Sequence, residues 1–577
     1  MIKPFNQLLK NLKKDYSNFP IINVALLGDS STQFLNKTLS AYAIEYGYQL
    51  NLFEADYNQI DLQVFNLGSD FYNCNADFVI LSETNQKLKK SFYNLSLEER
   101  QTFADDKIKH IQKSINQILE HKKIKSVVYF NFQEEDDSVF GNYANSTEYS
   151  YLYQIRKLNF ELMNLAQKNR SFLVLDYKLI HQRLGDKSAF SPQMLVNNDM
   201  TFSMDALPII SKYIMDIILA QNGVFKKCLI LDLDNTMWGG IIGDDGIENI
   251  QIGNLGIGKA FTNFQLWVKE LKERGIILAI CSKNYENVAK NVFINHPEMK
   301  IKLDDISVFV ANWENKADNI KYIQNVLNIG FDSMVFIDDN KFERELVKNN
   351  VPEITVPDLP IDPAEYVEYL KTLNLFETNS FVKNDTKRTK QYQAESERKK
   401  IAQKFSSETD FLKELEMEAT IEPFNDFNLP RIAQLIQRSN QFNLRTKRYS
   451  EQELKSFQQS KDYACFSLSL KDKYGDYGLV SIIILKINTD SLFIDTWVMS
   501  CRVLKRDVEK FIINYMVNLA KNKPNIKSII GEYIPTPKNA LVKNLYKELG
   551  FKANSNLWQL DLMSYQSQKN YIKIKNN

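Results

Sequence analysis

The chain has 577 residues, long enough for three or four domains, and 44% of them are hydrophobic, enough for an ample core. Lys+Arg number 72 against 71 Asp+Glu, a balance that gives no ground for binding nucleic acid or a membrane surface. The five cysteines (Cys74, Cys228, Cys281, Cys465 and Cys501) are scattered without C-x-x-C spacing, which argues against a disulfide scaffold or zinc knuckle and suits reduced thiols in the cytoplasm.

Residues 1–19 are basic and polar with no apolar core, so they do not read as a secretory signal, and no apolar run reaches the ~18 residues of a membrane span. The first strand is expected at residues 21–27, followed by Gly28-Asp29-Ser30-Ser31-Thr32. A helix is expected over 38–46, strands over 78–82, 127–131 and 172–176, and a helix over 151–169. This alternation argues for a parallel sheet. The Gly-Asp-Ser after the first strand resembles the SGNH hydrolase fold, with Ser30 at the nucleophile position. The D-x-x-H of that fold falls on Asp199-Met200-Thr201-Phe202, with phenylalanine where histidine belongs. A serine without a base is a poor nucleophile. Residues 1–222 are therefore expected to be an SGNH-like domain, catalytically degenerate.

The stretch Cys228-Leu229-Ile230-Leu231-Asp232-Leu233-Asp234-Asn235-Thr236 carries the most chemistry. Its apolar run reads as a buried parallel strand, and its carboxylates stand at the carboxyl end, where α/β sheets bind ligands. Two such carboxylates suit a divalent cation, with one left to attack phosphorus. A second strand, 275–281, ends in Ser282-Lys283-Asn284, whose hydroxyl and backbone N–H groups suit a phosphoryl oxygen. Lys316 precedes a helical stretch at 320–327, and a strand at 333–337 ends in Asp338-Asp339-Asn340. The four histidines, His110, His121, His181 and His296, lie outside these motifs, which speaks against a histidine metal site or histidine acid–base catalysis here.

This ordered set resembles the haloacid dehalogenase-like (HAD) superfamily over residues 224–378. The resemblance implies that Asp232 is the nucleophile and Asp234 the general acid and base. It implies that Ser282, Lys316, Asn235 and Thr236 bind phosphate, and that Asp232, Asp234 and Asp338 hold Mg²⁺ with Asp339 beside them. A phosphoryl transition state carries negative charge on its equatorial oxygens, so a cation and a lysine facing it make physical sense. Trp238-Gly239-Gly240 and Phe336-Ile337-Asp338-Asp339-Asn340, with Phe342-Glu343-Arg344-Glu345, are similar to the FkbH-like proteins of HAD subfamily IIIC. That resemblance implies a glyceryl-type acyl phosphate donor and an acyl carrier protein as acceptor. Cys281, next to Ser282, is a candidate catalytic thiol for a thioester step; strand alternation offers a packing role instead. Trp238 and Trp313 either wall a pocket or belong to the core.

Residues 379–415 are charge-rich and read as exposed linking helices. From 416 to 577 the pattern becomes α+β. Strands are expected at 418–423, 464–470, 478–487, 491–499 and 526–532, with helices at 429–439 and 505–521. Their order resembles the GNAT acyltransferase fold. The turn that holds coenzyme A pyrophosphate in that fold here reads Met499-Ser500-Cys501-Arg502-Val503-Leu504-Lys505-Arg506, without glycine. Backbone approaches a pyrophosphate less closely without glycine, so Arg502, Lys505 and Arg506 are read as acceptor-binding side chains.

The chain is thus expected to be α/β throughout its first two domains: an SGNH-like parallel sheet at 1–222 and a HAD-like Rossmannoid domain at 223–378. A helical linker at 379–415 and an α+β GNAT-like domain at 416–577 follow. The function expected is Mg²⁺-dependent processing of a small acyl or hydroxyacyl phosphate with acyl transfer to a carrier-protein phosphopantetheine. The alternatives are a small-molecule HAD phosphatase, or a GNAT-type acyltransferase in glycan or secondary-metabolite biosynthesis.

Overall fold

The computed structural model describes residues 2–575 apart from 122, 136, 403 and 537. It forms two compact units, Met1–Ile218 and Leu219–Asn577. In the first unit β1 (Ile21–Gly28), β2 (Gln49–Glu54), β3 (Phe78–Ser82), β4 (Ser126–Phe130) and β5 (Phe172–Leu175) make one parallel sheet in the order β2-β1-β3-β4-β5. Strands β3 and β4 are buried along their whole length, which is why they read as continuous apolar runs. The edge strand β2 is half-buried and polar at alternate positions, and it escapes the sequence reading. The helix Tyr151–Lys168 begins where expected because Ser150 caps it, accepting from the Tyr153 N–H at 3.1 Å.

The second unit opens with a four-stranded parallel sheet of β6 (Cys228–Leu231), β7 (Ile277–Ser282), β8 (Ile306–Ala311) and β9 (Met334–Ile337), in the order β8-β7-β6-β9. Leu231 pairs with Ile280 on one side and Ile337 on the other, so Asp232, Ser282 and Asp338 emerge at one edge. Alternation sends Leu229, Leu231, Leu278 and Ile280 into one apolar layer and Cys228, Ile230, Ala279 and Cys281 into the other.

The remaining strands are β10 (Met417–Pro423), β11 (Tyr463–Asp472), β12 (Gly475–Ile487), β13 (Ser491–Met499), β14 (Ser528–Glu532), β15 (Lys552–Asn554), β16 (Leu557–Asp561) and β17 (Ile572–Ile574). They form one mixed sheet, β15-β16-β14-β13-β12-β11-β10-β17, whose β11-β12-β13 part is the expected antiparallel meander. β13 pairs with β14 only from Ser491 to Phe493. Beyond that the chain's own segment 442–444 reaches both strands. The Met499 N–H donates to the Phe442 carbonyl at 3.1 Å and the Ile534 N–H, just past β14, to the Leu444 carbonyl at 2.9 Å.

The linker departs from its expected exposure. The helix Arg388–Ala402 is packed against β8, β7 and β12. Arg398 is 1% exposed and holds Asp472 through two hydrogen bonds of 2.7 and 2.8 Å, while Glu395 pairs with Arg506 at 3.0 Å. Charge in this stretch is buried by pairing, and breaking such a pair costs about 3–5 kcal/mol. Among the described residues no helix is long and apolar enough to cross a membrane.

Candidate metal and phosphate site

Asp232 follows β6 directly, and its N–H donates to the Ile337 carbonyl of β9 at 3.0 Å, which fixes the carboxylate at the sheet's edge. The chain then turns through Asn235 at φ +53°, a left-handed conformation that asparagine tolerates. The Asn235 side chain closes the turn by accepting from the Gly240 N–H at 3.0 Å. Gly240 itself sits at φ +94°, and a Cβ there would fall 2.6 Å from Asp245 Oδ2, so glycine is required.

Asp232, Asp338 and Asp339 each offer a carboxylate oxygen, all within 4.8 Å of one another. Lys316 is the first residue of the helix Lys316–Leu327 and is 3% exposed. Its Nζ lies 2.9 Å from Asp232 Oδ2 and 2.6 Å from Asp338 Oδ2. Burial alone would strip charge from this lysine; the two carboxylates outweigh it and hold its pKa above the ordinary value. Asp338 is fully buried, and burial together with the Asp232 charge pushes its carboxyl up against the pull of Lys316. Burial likewise raises Asp339. Asp232 Oδ1 is buried without a hydrogen-bond partner. Three hard-oxygen donors, one of them orphaned, facing a single ammonium group fit a small divalent cation.

The structure reassigns one expected metal ligand. The Asp234 carboxylate turns away from this cluster to three donors: Trp238 Nε1 at 2.8 Å, the Ile242 N–H at 3.1 Å and Asn284 Nδ2 at 3.0 Å. Its place in the carboxylate trio is taken by Asp339. Burial raises the Asp234 pKa above the usual carboxylate value against the pull of these hydrogen bonds. Ser282 is buried at the tip of β7, its Oγ accepting from Asn284 Nδ2 at 3.1 Å. Thr236 is tied to Asp339: its hydroxyl accepts from the Asp339 N–H at 3.2 Å and faces Asp339 Oδ1 at 3.4 Å. Thr236 and Asn235 therefore shape the loop, Lys316 faces the cluster, and Ser282 is tied through Asn284 to Asp234.

Cys281 is fully buried in the layer of Cys228, Ile230 and Ala279, with its Sγ 3.7 Å from the Lys316 carbonyl. Burial pushes its thiol well above the usual range, and the neighbouring Lys283 is engaged with Glu343 at 2.6 Å. The structure gives Cys281 the packing role that alternation offered. Trp238 is fully buried and Trp313 is exposed, stacked edge-on with Tyr285.

Sequence reasoning missed Asn284, which ties Asp234 to Ser282, and Arg344. The Arg344 guanidinium donates to the Asp338 carbonyl at 2.9 Å and the Asp339 carbonyl at 2.5 Å, locking the loop that carries both acids. Its signals were its place in Phe342-Glu343-Arg344-Glu345, which carried the family resemblance without a role for the arginine, and its position on the helix Lys341–Asn350 that follows the acids.

In the first unit Ser30 is buried and its Oγ has no hydrogen-bond partner. Phe202 packs on Phe130 and Tyr177, with ring centroids 5.6 and 5.0 Å away, so the position where a base was sought is filled by an aromatic cluster. In the second unit Arg502 is buried, Lys505 is exposed at φ +60°, and Arg506 is held by Glu395.

Residues 23–219 match the family model described as FkbH, N-terminal domain. Among solved structures, the chain is 49% identical to the N-terminal part of the protein BF1531 from Bacteroides fragilis, which contains a phosphatase domain and was crystallised with Mg. That likeness has a TM-score of 0.64 and covers 66% of this chain and 100% of that one. The ribosomal-protein-S18-alanine N-acetyltransferase from Escherichia coli is matched at 16% identity and a TM-score of 0.21, over 25% of this chain and 94% of that one. No curated protein matches. A relative nearly half identical along its full length, joined to the matching N-terminal model, shows that the chain belongs to the FkbH-like family.

Proposed function

We propose that the carboxylate trio is the centre of a Mg²⁺-dependent HAD-type phosphatase or phosphotransferase. The observation that carries this is Lys316 bridging Asp232 and Asp338 beside the unpartnered Oδ1 of Asp232. Mg²⁺ would be held by Asp232, Asp338 and Asp339, and when bound it supplies the positive charge that lets a carboxylate meet a phosphate. Asp232 attacks phosphorus, and the leaving oxygen departs with a proton from Asp234. Asp234, oriented by Trp238, Ile242 and Asn284, then takes a proton from the incoming group. Lys316 and Ser282 bind the phosphoryl oxygens, and burial of both strengthens these contacts.

The finer reading is that the substrate is a small acyl or hydroxyacyl phosphate whose acyl group passes to a carrier-protein phosphopantetheine: the thiol attacks the acyl carbon, the C–O bond breaks and phosphate leaves, so the attack of Asp232 on phosphorus is kept for a phosphate ester and not for the acyl phosphate bond. Membership of the FkbH-like family supports it. The GNAT-like half would recognise the acceptor, with exposed Lys505 as the phosphate-facing candidate, since Arg506 is already paired with Glu395 and Arg502 is buried against Ser500 and Gln391. The first unit would serve as an SGNH-like binding domain without hydrolase chemistry. The test is intact-mass measurement of a candidate carrier protein incubated with the full chain, Mg²⁺ and acyl phosphates. An acyl adduct supports the finer reading. Phosphate release without an adduct leaves the simple phosphatase, and acetyl transfer from acetyl-CoA to an amine favours a GNAT-type acyltransferase.

A further inference from the structure

A second charged site lies at the opposite end of β6 from Asp232. A cavity of about 350 Å³ is lined by the amino-terminal ends of β6 and β7, the helix Arg388–Ala402 and the helix Leu429–Arg438. Six cations line it: Lys227, Arg388, Arg431, Arg438, Arg502 and Lys538. Two carboxylates answer them. Asp332 pairs with Lys538, and Asp385 is shared by Arg388 at 2.9 Å, Arg431 at 3.4 Å and Arg438 at 3.2 Å.

Among the described residues no carboxylate stands within ion-pair distance of Lys227 or Arg502. Lys227 Nζ donates to the Arg438 carbonyl at 3.3 Å, and Arg502, 7% exposed, donates to Ser500 Oγ at 3.2 Å and to the Gln391 side chain. Arg438 Nε is buried with no partner at all. Burial, and behind it the charge of Arg388, pushes Lys227 down to about 8 and Arg438 down to about 9. Guanidinium groups stay charged in proteins, so such crowding is an uncompensated electrostatic cost. A buried excess of cations around an open volume is what an anion site looks like before its ligand arrives.

We propose that this cavity binds a small organic phosphate or diphosphate, at a site separate from the carboxylate trio. Arginine forks match phosphate oxygens two at a time, and a phosphate here would give Arg502 and Lys227 the anionic partner they lack and relieve the sharing of Asp385 by Arg438. The remaining wall is mixed, apolar at Leu435, Phe442 and Met499 and polar at Gln434, Asn440 and Gln441, and suits a polar organic group on the ligand. The volume falls within the range of small-ligand sites. Lys227 and Asp232 are five residues apart along an extended strand, on the order of 16 Å at ~3.3 Å per residue, so one phosphate does not serve both. The inference does not depend on the phosphatase reading.

The test uses the full chain with inorganic pyrophosphate as probe, in excess chelator so that the carboxylate trio lacks a metal. Calorimetry is expected to show binding that weakens at least tenfold in Arg438→Gln and in Lys227→Met, on two different elements, and is unchanged in Ser282→Ala. The melting temperature of each variant without ligand checks its fold. A crystal of the wild-type chain soaked with pyrophosphate provides the arm that needs no variant, with density expected against Arg438 and Arg502. Absence of binding by the wild type, an empty cavity in the soaked crystal, or a loss that follows Ser282→Ala instead would overturn the proposal.

Discussion

A buried lysine between two buried carboxylates has no neutral equivalent. Removing the Lys316 charge, as in Lys316→Gln, leaves Asp232 and Asp338 repelling each other out of water. A loss of about 3–5 kcal/mol in stability is expected, from the cost of stranding buried charge, and Mg²⁺ should recover part of it. Melting curves with and without Mg²⁺ check this; a variant as stable as the wild type in chelator would show that the bridge contributes nothing. Asp232→Asn keeps shape and loses the attacking charge. Phosphate release from a small phosphate ester should fall by at least about 10³-fold with the circular dichroism spectrum unchanged, as for other removed nucleophiles. Activity within tenfold of wild type would remove Asp232 from that role. Because the donors are all oxygen, chelator should abolish turnover and Zn²⁺ should fail to restore it. Asp232, Asp338, Ser282 and Lys316 were legible because each follows a strand or opens a helix in chain order. That Asp339 rather than Asp234 stands in the carboxylate trio was not, since which carboxylate turns inward depends on Trp238 and Asn284 closing the loop.

At the scale of elements, central strands and capped helices were readable, and sheet edges were not, whether half-buried as β2 or buried as β8. β13 falls on the expected residues, while β2 and β8 were missed: a short run on a sheet edge is chosen by pairing more than by its own pattern. The helix Arg388–Ala402 was recognised as helix but not as buried. Its charges are satisfied by Asp472 and Arg506, 74 and 111 residues distant from their partners, a relation no local pattern reveals. In the first unit the tip of β1 keeps the Gly-Asp-Ser turn, but Phe202 occupies the aromatic cluster with Phe130 and Tyr177. Ser30→Ala should therefore leave phosphate release and acyl transfer unchanged. Loss of any esterase activity that the wild type displays would show that a base other than residue 202 serves this serine.

At the scale of the molecule, the half of the second unit built on the four-stranded sheet is not joined to the eight-stranded sheet by a slack tether. The crystallised Bacteroides fragilis relative corresponds to the N-terminal part alone. A chain ending near residue 378 should accordingly stay soluble and release phosphate at near wild-type rates. A chain ending at 415 retains the helix Arg388–Ala402 without Asp472, Tyr477 and Arg506. It should aggregate or be cut rapidly by protease within that helix; size-exclusion chromatography of the two truncations distinguishes them. Equal behaviour of both would mean that the helix stands without the sheet. In the intact chain the same helix has a thermodynamic consequence. With Arg398 locked to Asp472 on one flank and Gln393 donating to the Ile306 carbonyl of β8 on the other, neither half can melt without exposing the other's buried charge. Residues 219–577 should therefore lose structure in a single cooperative transition, with a calorimetric enthalpy equal to the van't Hoff value.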